Sequence, residues 1–223
     1  GRVDRYTMYP MDIEEFLLAL GEKDLVERIH TCFDHNSPMP LALHEAGHQL
    51  YRQYLAIGGM PEVVARFIDT QDYIQVQHVL ETIQMDYLDD MSKYQESTNE
   101  IKKTRLTYGT IAVQLSKKNT RFQYKIIKSG ARAAEYKNAI EWLVSAGLLS
   151  RIYRAEQIKK PLENYKDIDD FKIYLSDMGL LAAQKDIRAE DIFFMEEELA
   201  DFKGGMTENY VNTQFVRAGF KPY

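Results

Sequence analysis

Apolar residues recur at spacings of three and four through most of residues 12 to 97, the period of helices with one buried face. Asp12-Ile13-Glu14-Glu15 places a capping carboxylate three residues before a glutamate, and Phe16, Leu17 and Leu20 follow at helical spacing up to Gly21, which predicts a short first helix. Leu25 to Phe33 forms a second periodic run, closed by the proline-bearing stretch Asn36-Ser37-Pro38-Met39-Pro40. A third helix is expected from about Leu41 to Ile57, with Leu43, Gly47, Leu50, Tyr54 and Ile57 on its inward stripe and Gly58-Gly59 as its stop. Pro61 suits the first turn of a helix through Val64 and Phe67, and a longer helix from about Tyr73 to Tyr94 carries Val76, Leu80, Ile83 and Tyr87 on one face.

The pattern changes after Ser97-Thr98-Asn99. A helix is predicted from Leu106 to Lys118, then the β-prone Arg121-Phe122-Gln123-Tyr124, a brief helix near Ile126 to Gly130, and a strong helix from Ala131 to Ala146 stopped by Gly147. Leu148 to Arg154 alternates toward a strand, a polar loop runs from Lys159 to Asp170, and Phe171-Lys172-Ile173-Tyr174-Leu175 reads as a second strand. Helix, strand, helix, helix and hairpin is the order of a winged helix, whose third helix can lie in a DNA groove. The expected fold class is mainly α, a helical segment followed by a winged-helix (α/β) module.

Composition is that of an ordinary soluble globular protein, 45% apolar and 28% charged, rather than a disordered or membrane one. Cys32 is the single cysteine, which rules out an internal disulfide framework, and it reads as a buried small hydrophobe. No stretch approaches the roughly 18 apolar residues of a membrane span and no signal peptide opens the chain, so the expectation is a cytoplasmic protein without membrane contact. The chain begins with Gly1 and ends at Gly219-Phe220-Lys221-Pro222-Tyr223, where the pattern is turning into a strand, so a fragment is expected.

Charge sharpens this picture. Net charge is −6, yet Ile101 to Lys137 holds ten of the 28 Lys and Arg and a single acid, Glu135. Lys117, Lys118, Arg121, Lys125, Lys128, Arg132 and Lys137 are the candidate phosphate contacts of that basic block, with a solvated face or an acidic neighbouring domain as the alternatives.

His44-Glu45-Ala46-Gly47-His48 matches H-E-x-x-H, in which two histidines one helical turn apart bind zinc and the glutamate activates water. The wording also resembles the zinc motif of membrane-anchored AAA proteases. Tyr51 and Tyr54 stand where the extended motif would place a glycine and a third histidine, leaving only His78, Glu62 and Glu81 as further ligand candidates. The zinc metallopeptidase is therefore the alternative, and two half-exposed helix histidines beside a packed stripe the preferred reading. No G-x-x-x-x-G-K-[ST], G-x-G-x-x-G or G-x-S-x-G occurs, so the sequence offers neither a phosphate-cradling loop nor a nucleophile elbow.

Four segments carry a resemblance: Tyr9 to Leu17 (YPMDIEEFL), Tyr54 to Val64 (YLAIGGMPEVV), Ser129 to Arg132 (SGAR) and Tyr174 to Leu181 (YLSDMGLL). In order and spacing they resemble a prokaryotic family of AAA-type P-loop ATPases with a characteristic C-terminal region of unknown function. The resemblance implies that residues 1–21 leave an upstream ATPase module, 22–98 form a helical subdomain, 99–185 a winged-helix domain and 186–223 the start of a truncated nuclease-like domain. It implies ATP and Mg for the parent chain and no cofactor in this stretch. Gly204 to Val211 resembles the opening helix of a restriction-nuclease-like domain, with Glu208 as the first acid of its metal site. The family pattern includes the Leu43-His44-Glu45 helix opening but no histidine at position 48. The function so implied is a non-catalytic regulatory and coupling region that works with its own ATPase module, and with duplex DNA or a protein partner through the winged helix. A purely structural winged helix is the further alternative.

Overall fold

The structure is a computed structural model that describes residues 2–4, 6–95, 97–117, 121–185, 187, 189–194 and 200–223. It is mainly helical with a small two-stranded antiparallel sheet. Helices α1 (Ile13–Ala19) and α2 (Lys23–Asp34) lead into α3 (Leu41–Ile57), α4 (Pro61–Thr70) and the long α5 (Tyr73–Lys93). Asp12 caps α1 by accepting the Glu15 N–H at 2.8 Å, Pro61 opens α4, and Asp72 caps α5 through the Ile74 N–H at 2.8 Å. These boundaries follow the periodicity, and Cys32 is buried as expected.

The chain continues through α6 (Thr98–Tyr108), α7 (Ile111–Ser116), the single-turn α8 (Tyr124–Ile127) and α9 (Ala133–Ser145). Strands β1 (Leu149–Ala155) and β2 (Lys166–Leu175) flank a short 3-10 helix at Leu162–Tyr165, and α10 (Met178–Ala183), α11 (Ala189–Phe194) and α12 (Ala200–Arg217) complete the fold. Here the structure corrects the sequence-based boundaries. Periodicity predicts one helix from Leu106 to Lys118, whereas α6 starts at Thr98 and a step at Gly109-Thr110 separates it from α7. The early start escapes a hydrophobic reading because Thr104 and Thr107 are the buried residues of its middle turns, their hydroxyls donating to Gln95 Oε1 and Lys103 O. Arg121 to Tyr124 is no strand. Its backbone makes one bond to the sheet, Phe122 N–H to Phe171 O at 2.7 Å, while the Gln114 amide grips Gln123 at both N–H and C=O. β2 begins five residues before the expected Phe171, because Ile168, Asp169 and Asp170 bulge out between the pairs Arg154↔Asp167 and Tyr153↔Phe171 and break the alternation.

One large apolar cluster runs from Phe16 to Met206, and Ile57, Leu143, Leu175 and Leu181 in it are wholly buried, each worth about 1.5–3 kcal/mol relative to exposure. A satellite of Leu17, Leu25 and Val26 lies under α1 and α2. α6 packs on α9, and α12 lies against α7, β2 and α10. The interface of α12 is polar at its centre: Asn209 is fully buried and its amide pairs with both backbone groups of Leu175, at 2.8 and 3.1 Å.

Three of the sequence segments with the family resemblance meet at one junction. The buried Asp177 carboxylate caps α10 through the Leu180 N–H at 3.0 Å and reaches across to the Gly59 N–H at 2.7 Å. Gly59 O accepts the Met11 N–H at 2.7 Å, and the Tyr54 hydroxyl donates to Met11 O at 2.9 Å. Backbones approach so closely that a Cβ on Gly179 would lie 2.2 Å from Ile57 O, and one on Gly58, at φ +77°, would lie 2.3 Å from Asp177 Oδ1. Only glycine fits either place.

Gly179→Ala is accordingly expected to cost more than about 3 kcal/mol in chemical unfolding, whereas Gly147→Ala, at φ +74° with open space around it, should cost about 1–2 kcal/mol. Equal losses would mean that the junction can shift to admit a methyl group.

Burial is the largest influence on Asp177 and pushes its carboxyl above the ordinary 3.8, against the pull of the Leu180, Gly59, Gly179 and Met178 N–H groups. The folded chain thus holds this proton more tightly than the unfolded one. Its contribution to stability is full below 3.8 and is lost as pH rises through the higher folded value. Asp177→Asn leaves the Gly59 N–H facing an amide NH2, so we expect a loss of about 2 kcal/mol, or roughly 4–8 °C in Tm. The wild-type advantage should narrow as pH rises; an advantage that widens would show the N–H bonds outweighing burial.

Candidate nucleic-acid interface

The basic stretch seen in the sequence folds around α8 and the start of α9. Lys117 follows α7, Arg121 precedes α8, Lys125 lies on α8 and Lys128 ends it, Arg132 is the N-cap residue of α9, and Lys137 lies one turn further along. All six are exposed. Lys118 lies outside the described residues. Among the described residues none of these six cations takes part in an ion pair, while two others of the same stretch are spoken for: Lys103 pairs with Glu100 at 2.7 Å, and Arg105 donates to Leu88 O and Ser92 Oγ at 2.7 Å each. Local sequence explains the difference. Lys103 stands three residues from Glu100 on one helix, whereas Lys117 to Lys128 has no acid at that spacing; Glu135 and Glu141 stand three and four residues beyond Arg132 and Lys137, and Glu141 is taken by Arg151.

Tyr136, Ala139, Ile140 and Leu143 form the buried face of α9, which packs on α6, so that Ala134, Lys137, Asn138 and Glu141 point outward. Two carboxylates sit on this helix. Glu135 lies in its first turn, where the helix dipole favours it, and Glu141 is bound by Arg151 of β1 at 2.8 Å. Arg151 is in turn stacked over the Tyr153 and Phe171 rings, 4.9 and 5.6 Å from their centroids. The exposed Lys159 and Lys160 lie in the connection between β1 and β2.

The other sequence candidates are placed differently. His44 and His48 share an exposed edge of α3 with ring centroids 4.5 Å apart, and Glu45 is exposed beside them. Among the described residues no group of three or more His, Cys, Asp or Glu converges there or elsewhere. Glu81 instead accepts from Gln77 Nε2 at 3.1 Å, and Glu62 lies in the first turn of α4. Glu208 projects from α12 onto β2, where Lys172 Nζ lies 2.5 Å away and the Tyr174 hydroxyl donates at 2.9 Å. Burial, and then the charge of Glu208, push the Tyr174 hydroxyl far above its usual range, so it stays a donor.

With two exposed histidines and, among the described residues, no third ligand, the protein is expected to retain less than about one-tenth equivalent of zinc after zinc loading and dialysis. One equivalent by elemental analysis, lost in His48→Ala, would restore the peptidase reading.

Among the described residues no helix is long and apolar enough to cross a membrane. No curated protein and no solved structure matches the chain. A family model does match, from His48 in α3 to Asp191 in α11, a span that includes both sides of the Gly58–Asp177 junction and the whole basic stretch. That span is well over half of the sequence, and the chain belongs to the family described as Domain of unknown function (DUF8612).

Proposed function

We propose that this chain is a non-catalytic regulatory and coupling region of an AAA-type ATP-binding protein, in which α6 to β2 act as a winged helix that holds duplex DNA by its backbone. The exposed cations around α8 and α9, which among the described residues have no carboxylate partner, carry this reading, because such cations are free to replace the counterions of phosphates. The element order is compatible with it: α6, α7, α8 and α9 precede a hairpin, and Phe122 N–H bonds Phe171 O of β2, where a winged helix has a third strand. Sequence preference is expected to be weak, since contacts to phosphates carry no sequence information, although Lys137 and Asn138 on the outward face of α9 are residue types that can read a base edge. The link to an ATPase module rests on the resemblance of the four segments.

One observation favours the structural winged helix as the second reading. Glu135 and Glu141 lie on the helix that would face phosphates.

Fluorescence anisotropy with a labelled duplex of about 20 base pairs separates the two. Binding is expected to weaken steeply with salt, and Lys125→Ala, Lys128→Ala and Arg132→Ala together should flatten the log–log salt slope by up to about one for each phosphate that these side chains neutralise. Lys23→Ala, on α2 and paired with Glu27, should change nothing. Absence of binding at low salt would leave the structural reading and direct the search to protein partners.

A further inference from the structure

We propose that Tyr6 to Met11 form a strap that opens on Asp12 as a hinge while the rest of the fold stays intact, and that the Tyr54 hydroxyl is the latch that holds it shut. Asp12 is fixed from three directions. Its backbone oxygen accepts the Phe16 N–H at 2.9 Å, its Oδ1 accepts the Glu15 N–H at 2.8 Å, and its Oδ2 lies 3.0 Å from Arg217 Nη1 on α12. That last contact is an ion pair without hydrogen-bond geometry, and Arg217 is held more closely by Glu15, 2.6 Å from its Nη2.

One residue earlier, Met11 carries the two bonds that close the strap. Its N–H donates to Gly59 O at 2.7 Å, and its oxygen accepts the Tyr54 hydroxyl at 2.9 Å. Tyr54 is 3% exposed, the Gln214 side chain bonds the same hydroxyl, and burial pushes that hydroxyl far above its usual range, so it stays a donor. Upstream of Met11 the attachment ends. Among the described residues Tyr6 to Pro10 make no hydrogen bond. Tyr6 and Met8 are 90% and 92% exposed, and the alternate residues Thr7 and Tyr9 line a cavity of about 310 Å³ between the end of α9, the start of β1 and the last turns of α12. The inner side of the strap therefore faces a cavity instead of packed side chains, and it forfeits the dispersion contacts that hold a buried segment in place. Few buried contacts and missing hydrogen bonds are the profile of segments that open locally, well below the free energy of global unfolding.

Gly59 marks where the opening stops. Its oxygen belongs to the strap, through Met11, and its N–H to the core, through Asp177 at 2.7 Å. Release of Met11 thus leaves the junction of α3 and α10 closed. The role of the strap as the entry point of coupling from an ATPase module rests on the function proposed above; its opening does not, and is tested on this chain alone, without nucleotide or DNA.

Native-state hydrogen exchange of the full chain, followed by NMR in urea below the unfolding transition, measures the opening. The Met11 N–H is expected to show a protection factor at least about tenfold below that of the Gly59 N–H, and almost no dependence on urea, because opening the strap exposes little surface. The Gly59 N–H should respond to urea as steeply as the Val64 N–H, which is bonded within the first turn of α4. Tyr54→Phe should lower the Met11 protection about three- to tenfold, the loss of one hydrogen bond, with its urea dependence still near zero. A Met11 N–H that shares the protection and urea slope of Gly59 would overturn the proposal, as would unchanged Met11 protection in a folded Tyr54→Phe. The comparison of the two amides on the unaltered chain stands even if the variant fails to fold.

Discussion

The fold depends on one carboxylate placed where two helix ends meet. Asp177 finishes the N-terminus of α10 and, with its other oxygen, satisfies the Gly59 N–H just beyond the end of α3. Those two tasks need an acceptor with two free oxygens, which only Asp or Glu supplies, and they need it buried, where an unpaired backbone N–H would otherwise be costly. Gly58 and Gly179 then let the helix ends approach until backbone touches backbone. The N-terminal segment is tied to the same point through Met11, so α1, α3 and α10 share one anchor.

A second constraint comes from side-chain amides that stand in for missing secondary structure. Among the described residues the sheet has two strands, and its polar edges would be unpaired inside a helical protein. Asn209 covers Leu175 on one side, while Gln114 binds Gln123 and thereby holds Phe122 against β2. Gln184 does a similar service at the step between α6 and α7, where its oxygen accepts the Ala112 N–H and its nitrogen donates to Tyr108 O. The short α8 between these clamps therefore has a defined place, although four residues could not hold a helix by themselves.

How much of this is legible in the sequence depends on the range of the interaction concerned. Helices up to α5 can be read because each has apolar residues at helical spacing, and Gly58 and Gly147 mark stops that the backbone obeys; on α3 the expected stripe is buried only toward its end, and Leu43 is 39% exposed. The start of α6 is hidden because its buried positions are threonines, and the first half of β2 because the bulge at Ile168 to Asp170 removes the alternation. Segments around Gly58 and Asp177 stand out as a resemblance, yet their meeting cannot be seen, since nothing local announces a bond between residues so far apart. Of the candidate interface, the charge is legible and its lack of partners is not.

The distance spanned by the anchor has a consequence during synthesis. The Gly59–Asp177 bond closes a separation of 118 residues. A ribosome adding about 5–20 residues per second releases Asp177 roughly 6–24 s after Gly59. For that interval the end of α3, with Tyr54 to Ile57 destined for burial, has neither its carboxylate partner nor the helix that will cover it. The first half of the chain is therefore assembled as helices before it is assembled as a protein, and it waits on the second half to be locked.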